Sequence, residues 1–310
     1  MHLTALQRLF YNFFNLPHVS DTIPFLQWSQ IPQQLHNAST PLCNELLLSE
    51  DITGIPDLWA FVKDVLRSPD FEKHYTISRA VLVKHTDEMA IQAFLYLHEQ
   101  ECKSNSFVYS NFLDSSNPDG VAAHAKFMSL CEKTTTGHLT MAWHGVDNTN
   151  DHVFHICRDG LRGTSDAYFG KGSYVTPEAA YAAKYSDYGD DDECAVILCV
   201  VSATQVYPVT VKEDYRTLDE EALVEENVRG FSKYFSRDRE HPIALKPFSN
   251  AHFIPVKEYG NIHPRNRNLL GVEVHHQATS ESDAEFHELV VASHHQILPI
   301  AIVYYLKTAT

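Results

Sequence analysis

The run CAVILCVVSA at residues 194–203 constrains this chain more than any other stretch. A continuous apolar run of that length reads as a strand buried on both faces. At the end of the chain, ELVVASHHQILPIAIVYYLK holds two β-rich runs, read as split by Pro299. TISRAVLV, with Ile77 and the Val81 to Val83 run, fits another strand, and LTMAWHG a short one ending in Gly.

Helical signals alternate with these strands in no regular order. Thr86 starts a helix with Met89, Ala93, Phe94 and Leu97 on one face. A second helix lies within 118–133, its apolar face formed by Val121, Ala125, Met128 and Leu130, and the Ser- and Asn-bearing 103–117 stretch before it is a loop. HVFHICRDGL is a helix with Gly160 past its end. PEAAYAAKYSDYG is helical, with Pro177 near its first turn. Residues 209–283 are polar and resist assignment, apart from a short helix over 219–227 and a short strand over 271–275. Strands and helices mixed without βαβ regularity predict an α+β fold. Residues 1–72 read as a small helical N-terminal region of unknown role, with amphipathic helices at its start and over 56–66. Residues 73–310 form the main domain.

With 44 % hydrophobic and 21 % charged residues, the composition is that of a globular protein. Forty acidic against 24 basic residues give a net charge of −16, and there is no run of five Lys or Arg. Direct nucleic-acid binding is therefore not expected. Six cysteines without a CxxC pair read as reduced, mostly buried thiols, which places the chain inside the cell, in cytoplasm or nucleus. No apolar run has the length of a membrane span. The opening segment carries Leu3, Leu6, Phe10, Phe13 and Phe14 at helical spacing, with Arg8 as its one cation, and lacks a secretory leader. It reads as a helix docked on the protein rather than on a membrane.

Four groups of residues carry chemistry. His144-Gly145 ends a strand, so an imidazole and unshielded backbone groups lie side by side, able to bond a ribose hydroxyl and a carboxamide. With 19 histidines in the chain, a structural histidine is the competing reading. Phe169-Gly170-Lys171-Gly172-Ser173-Tyr174 is a turn that lets backbone approach a ligand. It is no P-loop, because Ser165 stands where Gly is needed and Gly172 where Ser or Thr is needed. No GxGxxG opens a βαβ unit, so a Rossmann dehydrogenase is unsupported. Tyr174, Tyr181 and Tyr185 offer aromatic faces for a flat ring, although Tyr181 and Tyr185, four apart, also fit one face of a core-packed helix. Glu288 stands just ahead of an apolar strand, where a fixed carboxylate stabilises an oxocarbenium-like sugar; a solvated edge residue is the alternative.

In this order and spacing the residues resemble the catalytic core of the poly(ADP-ribose) polymerase family of ADP-ribosyltransferases. The likeness runs through His144-Gly145, Ile156-Cys157 to Gly160, Gly170-Lys171-Gly172-Ser173-Tyr174, Tyr185 and Glu288. It covers roughly 73–310 and is strongest over 139–208 and 284–306. The resemblance implies the ADP-ribosyltransferase fold, with split, mixed or antiparallel sheets and flanking helices. It implies NAD as co-substrate and a catalytic trio of His144, Tyr174 and Glu288. His144 would hold the adenine-side ribose, Gly145 the carboxamide, and Tyr174 and Tyr185 the nicotinamide ring. Arg158, Gly172, Ser173 and Ala182 would line the rest of the NAD site, the 158–168 segment shaping its adenosine side. Transfer of ADP-ribose to a protein acceptor follows; Glu288 leaves elongation open, while the acidic charge, the absence of DNA-binding modules and the unfamiliar segment before Glu288 favour single units over polymer.

Two departures from the family stand out. Ala182 replaces the Ser whose hydroxyl bonds the carboxamide, unless Thr176 compensates, and the segment between Val209 and Glu288 is long and unfamiliar. Ala182 supports the alternative of a non-catalytic module binding NAD or ADP-ribose. An RNA-end-modifying relative would need more cations than Arg158, Arg162, Lys171 and Lys184. A metal site from His152, His155 and Cys157 is disfavoured, because one helix face does not hold all three.

Overall fold

A computed structural model of the chain describes residues 47–48, 66, 69–83, 93–94, 96–98, 100, 116–133, 138–146, 152–163, 169–186, 193–210, 245–246, 248–259 and 275–308. The elements are β1 (Leu47–Leu48), α1 (Pro69–His74), β2 (Tyr75–Leu82), α2 (Pro118–Leu130), β3 (Glu132–Lys133), β4 (His138–Val146), α3 (His152–Asp159), β5 (Ser173–Val175), α4 (Ala179–Ala183), β6 (Glu193–Ser202), β7 (Val206–Pro208), β8 (Ala251–Tyr259), β9 (His275–Ala278), β10 (Phe286–Val291) and β11 (Ile297–Lys307). A six-stranded sheet runs β1-β2-β11-β6-β4-β3. The second sheet runs β5-β10-β8-β7, with β9 also on β8. All pairings are antiparallel except β7 with β8. The result is an α+β fold of the ADP-ribosyltransferase type, with its strands divided between two sheets.

The apolar run sits at the heart of the first sheet. In β6, Val196, Leu198 and Val200 enter one core with Trp143 and Val303, while Ile197, Cys199 and Val201 enter another. That second core also receives Phe253, Leu289 and Val291 from the other sheet, so the two sheets pack through it. Each fully buried Val, Leu or Ile stabilises the fold by roughly 1.5–3 kcal/mol.

Several local readings need correction. Asn117 caps α2 by accepting from Gly120 N at 3.3 Å, and the helix buries Gly120, Ala123 and Phe127. The expected face is rotated away: Val121 is 38 % exposed, because Phe127 turns inward to meet the Phe253 ring at 5.4 Å. Pro299 does not split the last two strands. It lies within β11 beside a register shift, where the missing N–H needs no partner, and the break falls at 292–296. The helix after Pro177 has five residues, Ala179–Ala183, and passes into a turn at 184–186. β4 continues one residue past Gly145 to Val146. β8 was missed altogether, although Ala251 to Val256 are all buried; Pro255 and the charges after it mask the strand. α3 agrees with the expectation, and the N–H of Gly160 bonds the Ile156 carbonyl at 2.9 Å. Ala93, Phe94 and Leu97 are helical as expected. The helices expected at the N-terminus, at Thr86 and over 219–227 lie outside the described residues, as does most of the 103–117 loop, and the helix expected over 56–66 meets them only at Leu66, which is helical and buried. The strand expected over 271–275 meets the described residues only at its last position, where β9 begins.

Candidate active site

The two sheets touch where β4 meets the residue after β5. Trp143 N bonds the Thr176 carbonyl at 2.6 Å and Thr176 N returns to the Trp143 carbonyl at 2.9 Å. Backbone groups alternate edges along a strand, so those of His144 face Ile197 on β6 and those of Gly145 face the Trp143 edge again. β3 covers that edge only opposite His138 and Leu139. Gly145 therefore presents its N–H and C=O along that edge of the sheet, while α4 lies over its face. His144 Nδ1 lies 2.9 Å from the Tyr174 carbonyl oxygen and must donate to it. In the neutral ring, Nε2 is then the acceptor.

The glycine turn is pinned from inside. Gly170 takes φ 109°, a conformation that side chains avoid. The Tyr174 hydroxyl accepts from Phe169 N and donates to the Gly170 carbonyl, each at 2.8 Å. His252 donates from Nδ1 to the Phe169 carbonyl at 2.8 Å and accepts at Nε2 from Lys246 N at 2.9 Å. Burial holds this ring neutral, its pKa pushed down to about 4. Gly172 is buried in the same turn. The buried Ser173 hydroxyl bonds the Leu161 carbonyl at 2.5 Å and so ties down the segment after α3.

Register delivers the carboxylate. Val290 on β10 pairs with Tyr174 on β5, and Glu288 is two residues from Val290, so Glu288 and Tyr174 share a sheet face. Glu288 is 6 % exposed. The Tyr181 hydroxyl donates to its Oε1 at 2.6 Å. The Tyr185 hydroxyl lies 3.1 Å from that of Tyr181 and also hydrogen-bonds Glu288. Tyr181 is wedged between Tyr185, edge-on at 5.4 Å, and Phe286, stacked at 4.8 Å, with Lys184 Nζ over the Phe286 ring. Burial pushes the Glu288 carboxyl up to about 7, against hydrogen bonds from Tyr181 and Tyr185 that pull it down.

Contacts and strand register together gather the residues around the site. His144 bonds Tyr174, Tyr174 shares a face with Glu288, Glu288 accepts from Tyr181, and Tyr181 touches Tyr185. Tyr185 and Ala182 in turn crowd Gly145, where a Cβ would stand 2.8 Å from the Cβ of Tyr185. Four of the sequence-derived residues, His144, Tyr174, Tyr185 and Glu288, thus lie in one neighbourhood. Ala182 offers its buried carbonyl to that contact and no hydroxyl. Thr176 does not replace the absent serine, because its hydroxyl donates to Glu178 Oε2 at 2.9 Å. Arg158 falls on α3; its side chain lies outside the described residues. On that helix His152 and His155 are exposed while Cys157 is buried, so the three do not converge. Among the described residues no group of three or more His, Cys, Asp or Glu is arranged to hold a metal, and no helix is long and apolar enough to cross a membrane.

Sequence reasoning missed two supporting residues and the hydroxyl role of a third. Tyr181 is legible in the sequence only as a ring, and its spacing four before Tyr185 is the available signal. Glu178 and His287 were not singled out. His287 projects to the opposite face from Glu288 and stacks on Phe253 at 5.1 Å. Its Nδ1 meets Glu178 at 2.7 Å and its Nε2 meets Glu281 at 3.1 Å, while Glu178 also accepts the His287 N–H at 3.1 Å.

Split sheets joined at β4 and β5 place an imidazole, tyrosine rings and a buried carboxylate at one junction. Residues 114–248 match the model of the poly(ADP-ribose) polymerase catalytic domain. The matched stretch contains His144, Gly145, Tyr174, Ala182 and Tyr185; Glu288 lies beyond it and is brought in by the second sheet. No curated protein matches the chain.

Proposed function

We propose that this chain uses NAD as substrate, breaks its nicotinamide–ribose bond and transfers ADP-ribose to a protein acceptor, one unit at a time. The gathering of His144, Tyr174, Glu288, Tyr185 and Gly145 at one junction is the observation that carries this reading. His144 Nε2 accepts a hydroxyl of the adenine-side ribose, the Gly145 backbone bonds the carboxamide, and Tyr174 and Tyr185 hold the nicotinamide ring. As the C1′–N bond breaks, its electron pair leaves with nicotinamide and positive charge grows on the ribose. Ionised Glu288 stabilises that charge in a buried setting where a carboxylate acts strongly. The acceptor then forms the new bond at C1′ and gives up a proton, for which a carboxylate near pKa 7 is a suitable base. Tyr181 holds Oε1 of that carboxylate, and the acidic net charge and the unfamiliar segment between Val209 and Glu288 support single transfer over chain growth.

One observation favours a second reading. With Ala182 in place of serine and Thr176 committed to Glu178, one bond to the carboxamide is lost, about 0.5–1.5 kcal/mol. A module that binds NAD without cleaving it fits that loss. Purified protein incubated with labelled NAD separates the two. Release of nicotinamide, with labelled protein running as a single discrete species, is expected; intact NAD and unlabelled protein would favour the binding module, and a ladder of products would overturn single transfer.

A further inference from the structure

We infer that Tyr181 is a positioning residue for Glu288: its hydroxyl holds Oε1 and fixes the rotamer in which the carboxylate meets the substrate. The inference rests on the function proposed above for what the carboxylate does, but the hold on Glu288 stands on geometry alone.

Tyr181 is 1 % exposed and lies on α4, while Glu288 lies on β10, so the contact joins helix to sheet. Phe286 is two residues before Glu288 on the same strand and stacks on the Tyr181 ring, with interplanar angle 12°. A ring clamped between Phe286 and Tyr185 has little rotational freedom, so its hydroxyl meets Oε1 in one orientation. The phenol is also confined to one role. Burial, followed by the charge of Glu288, raises its pKa well above the usual value, so it donates and never serves as a base.

Few other ionisable groups face Glu288 among the described residues. Tyr185 does so from the helix side and Tyr174 from β5. On β8, Ile254 is directly opposite and His252 follows two pairs further on, held neutral. Lys184 is set off behind the Phe286 ring. Loss of the Tyr181 hydroxyl is therefore a change that Glu288 itself reports.

The test titrates the Glu288 side-chain carboxyl carbon by NMR in full-length protein, its signal assigned by loss in Glu288→Gln. In Tyr181→Phe, which keeps the ring and its stack, the titration moves up by about one pH unit. Nicotinamide release falls about ten- to a hundredfold in kcat at neutral pH, with KM for NAD little changed. The acid limb of the rate profile moves up with the titration. Should Tyr181→Phe fail to fold, fluorotyrosine at position 181, a stronger donor, moves the Glu288 titration down instead. An unmoved titration overturns the inference, as does an equal fold-loss when Tyr181→Phe is made on top of Glu288→Gln. A moved titration in protein that releases no nicotinamide supports the positioning and overturns the proposed function. Release with an unmoved titration does the reverse.

Discussion

The Cα of Gly145 rests against the carbonyl oxygen of Ala182, so closely that a Cβ at Gly145 would stand 1.8 Å from it. Strand β4 and helix α4 can approach to this distance only because position 145 has no side chain. Both obstacles, a helix carbonyl and the Cβ of Tyr185, belong to parts that cannot swing aside. Gly145→Ala is expected to cost about 1–3 kcal/mol by overpacking and to abolish binding of nicotinamide mimics. Thermal melting and inhibitor titration check it; an alanine variant that melts and binds like wild type contradicts the contact.

Glu288 links activity to stability. Its carboxyl is raised from 4.5 to about 7, so the folded state holds the proton more tightly than the unfolded chain. Its contribution is most favourable below the unfolded value and declines as pH rises from about 4.5 to 7. At 1.36 kcal/mol per unit, that decline is about 3 kcal/mol. Glu288→Gln does not titrate there. Urea unfolding should show the variant gaining about that much on wild type between pH 4.5 and pH 8. A constant difference across the range would mean the carboxyl is not raised.

His287 has the opposite dependence. Burial alone would lower its pKa, but the hydrogen bond and charge of Glu178, with Glu281, raise it overall. The imidazolium clamp is at full strength below the unfolded value near 6.5 and is lost as pH rises through the folded one. His287→Gln is therefore expected to cost about 2 kcal/mol at pH 6 and distinctly less at pH 9, read by denaturant midpoints. A cost independent of pH would show that the ring is neutral in the fold.

Ala182→Ser restores a hydroxyl beside Gly145 and is expected to tighten nicotinamide-mimicking inhibitors up to about tenfold. Calorimetry decides it. Unchanged affinity would mean that the Ala182 side chain does not face the carboxamide.

The central strand β6 was legible because its apolar run has no other stable home, and β10 and β11 followed from their Val and Ile content. β8 was not, since Pro255 and Lys257-Glu258 interrupt a pattern that only burial against β10 makes plain. The individual members of the site were legible as an ordered set of residue types. Their convergence was not, because it depends on the pairing of Val290 with Tyr174, which no local pattern encodes. The hydroxyl role of Tyr181 escaped for a similar reason: a tyrosine on an apolar helix face looks like core until the strand facing it is known.

Nicotinamide release from NAD by wild type and by Glu288→Gln, measured together with NAD binding by each, tests the account most directly. Wild type is expected to release nicotinamide, and the variant to lose at least about a hundredfold in rate while binding NAD nearly as well. Equal rates from the two proteins would contradict the role of Glu288 and, with it, the proposed chemistry of the site.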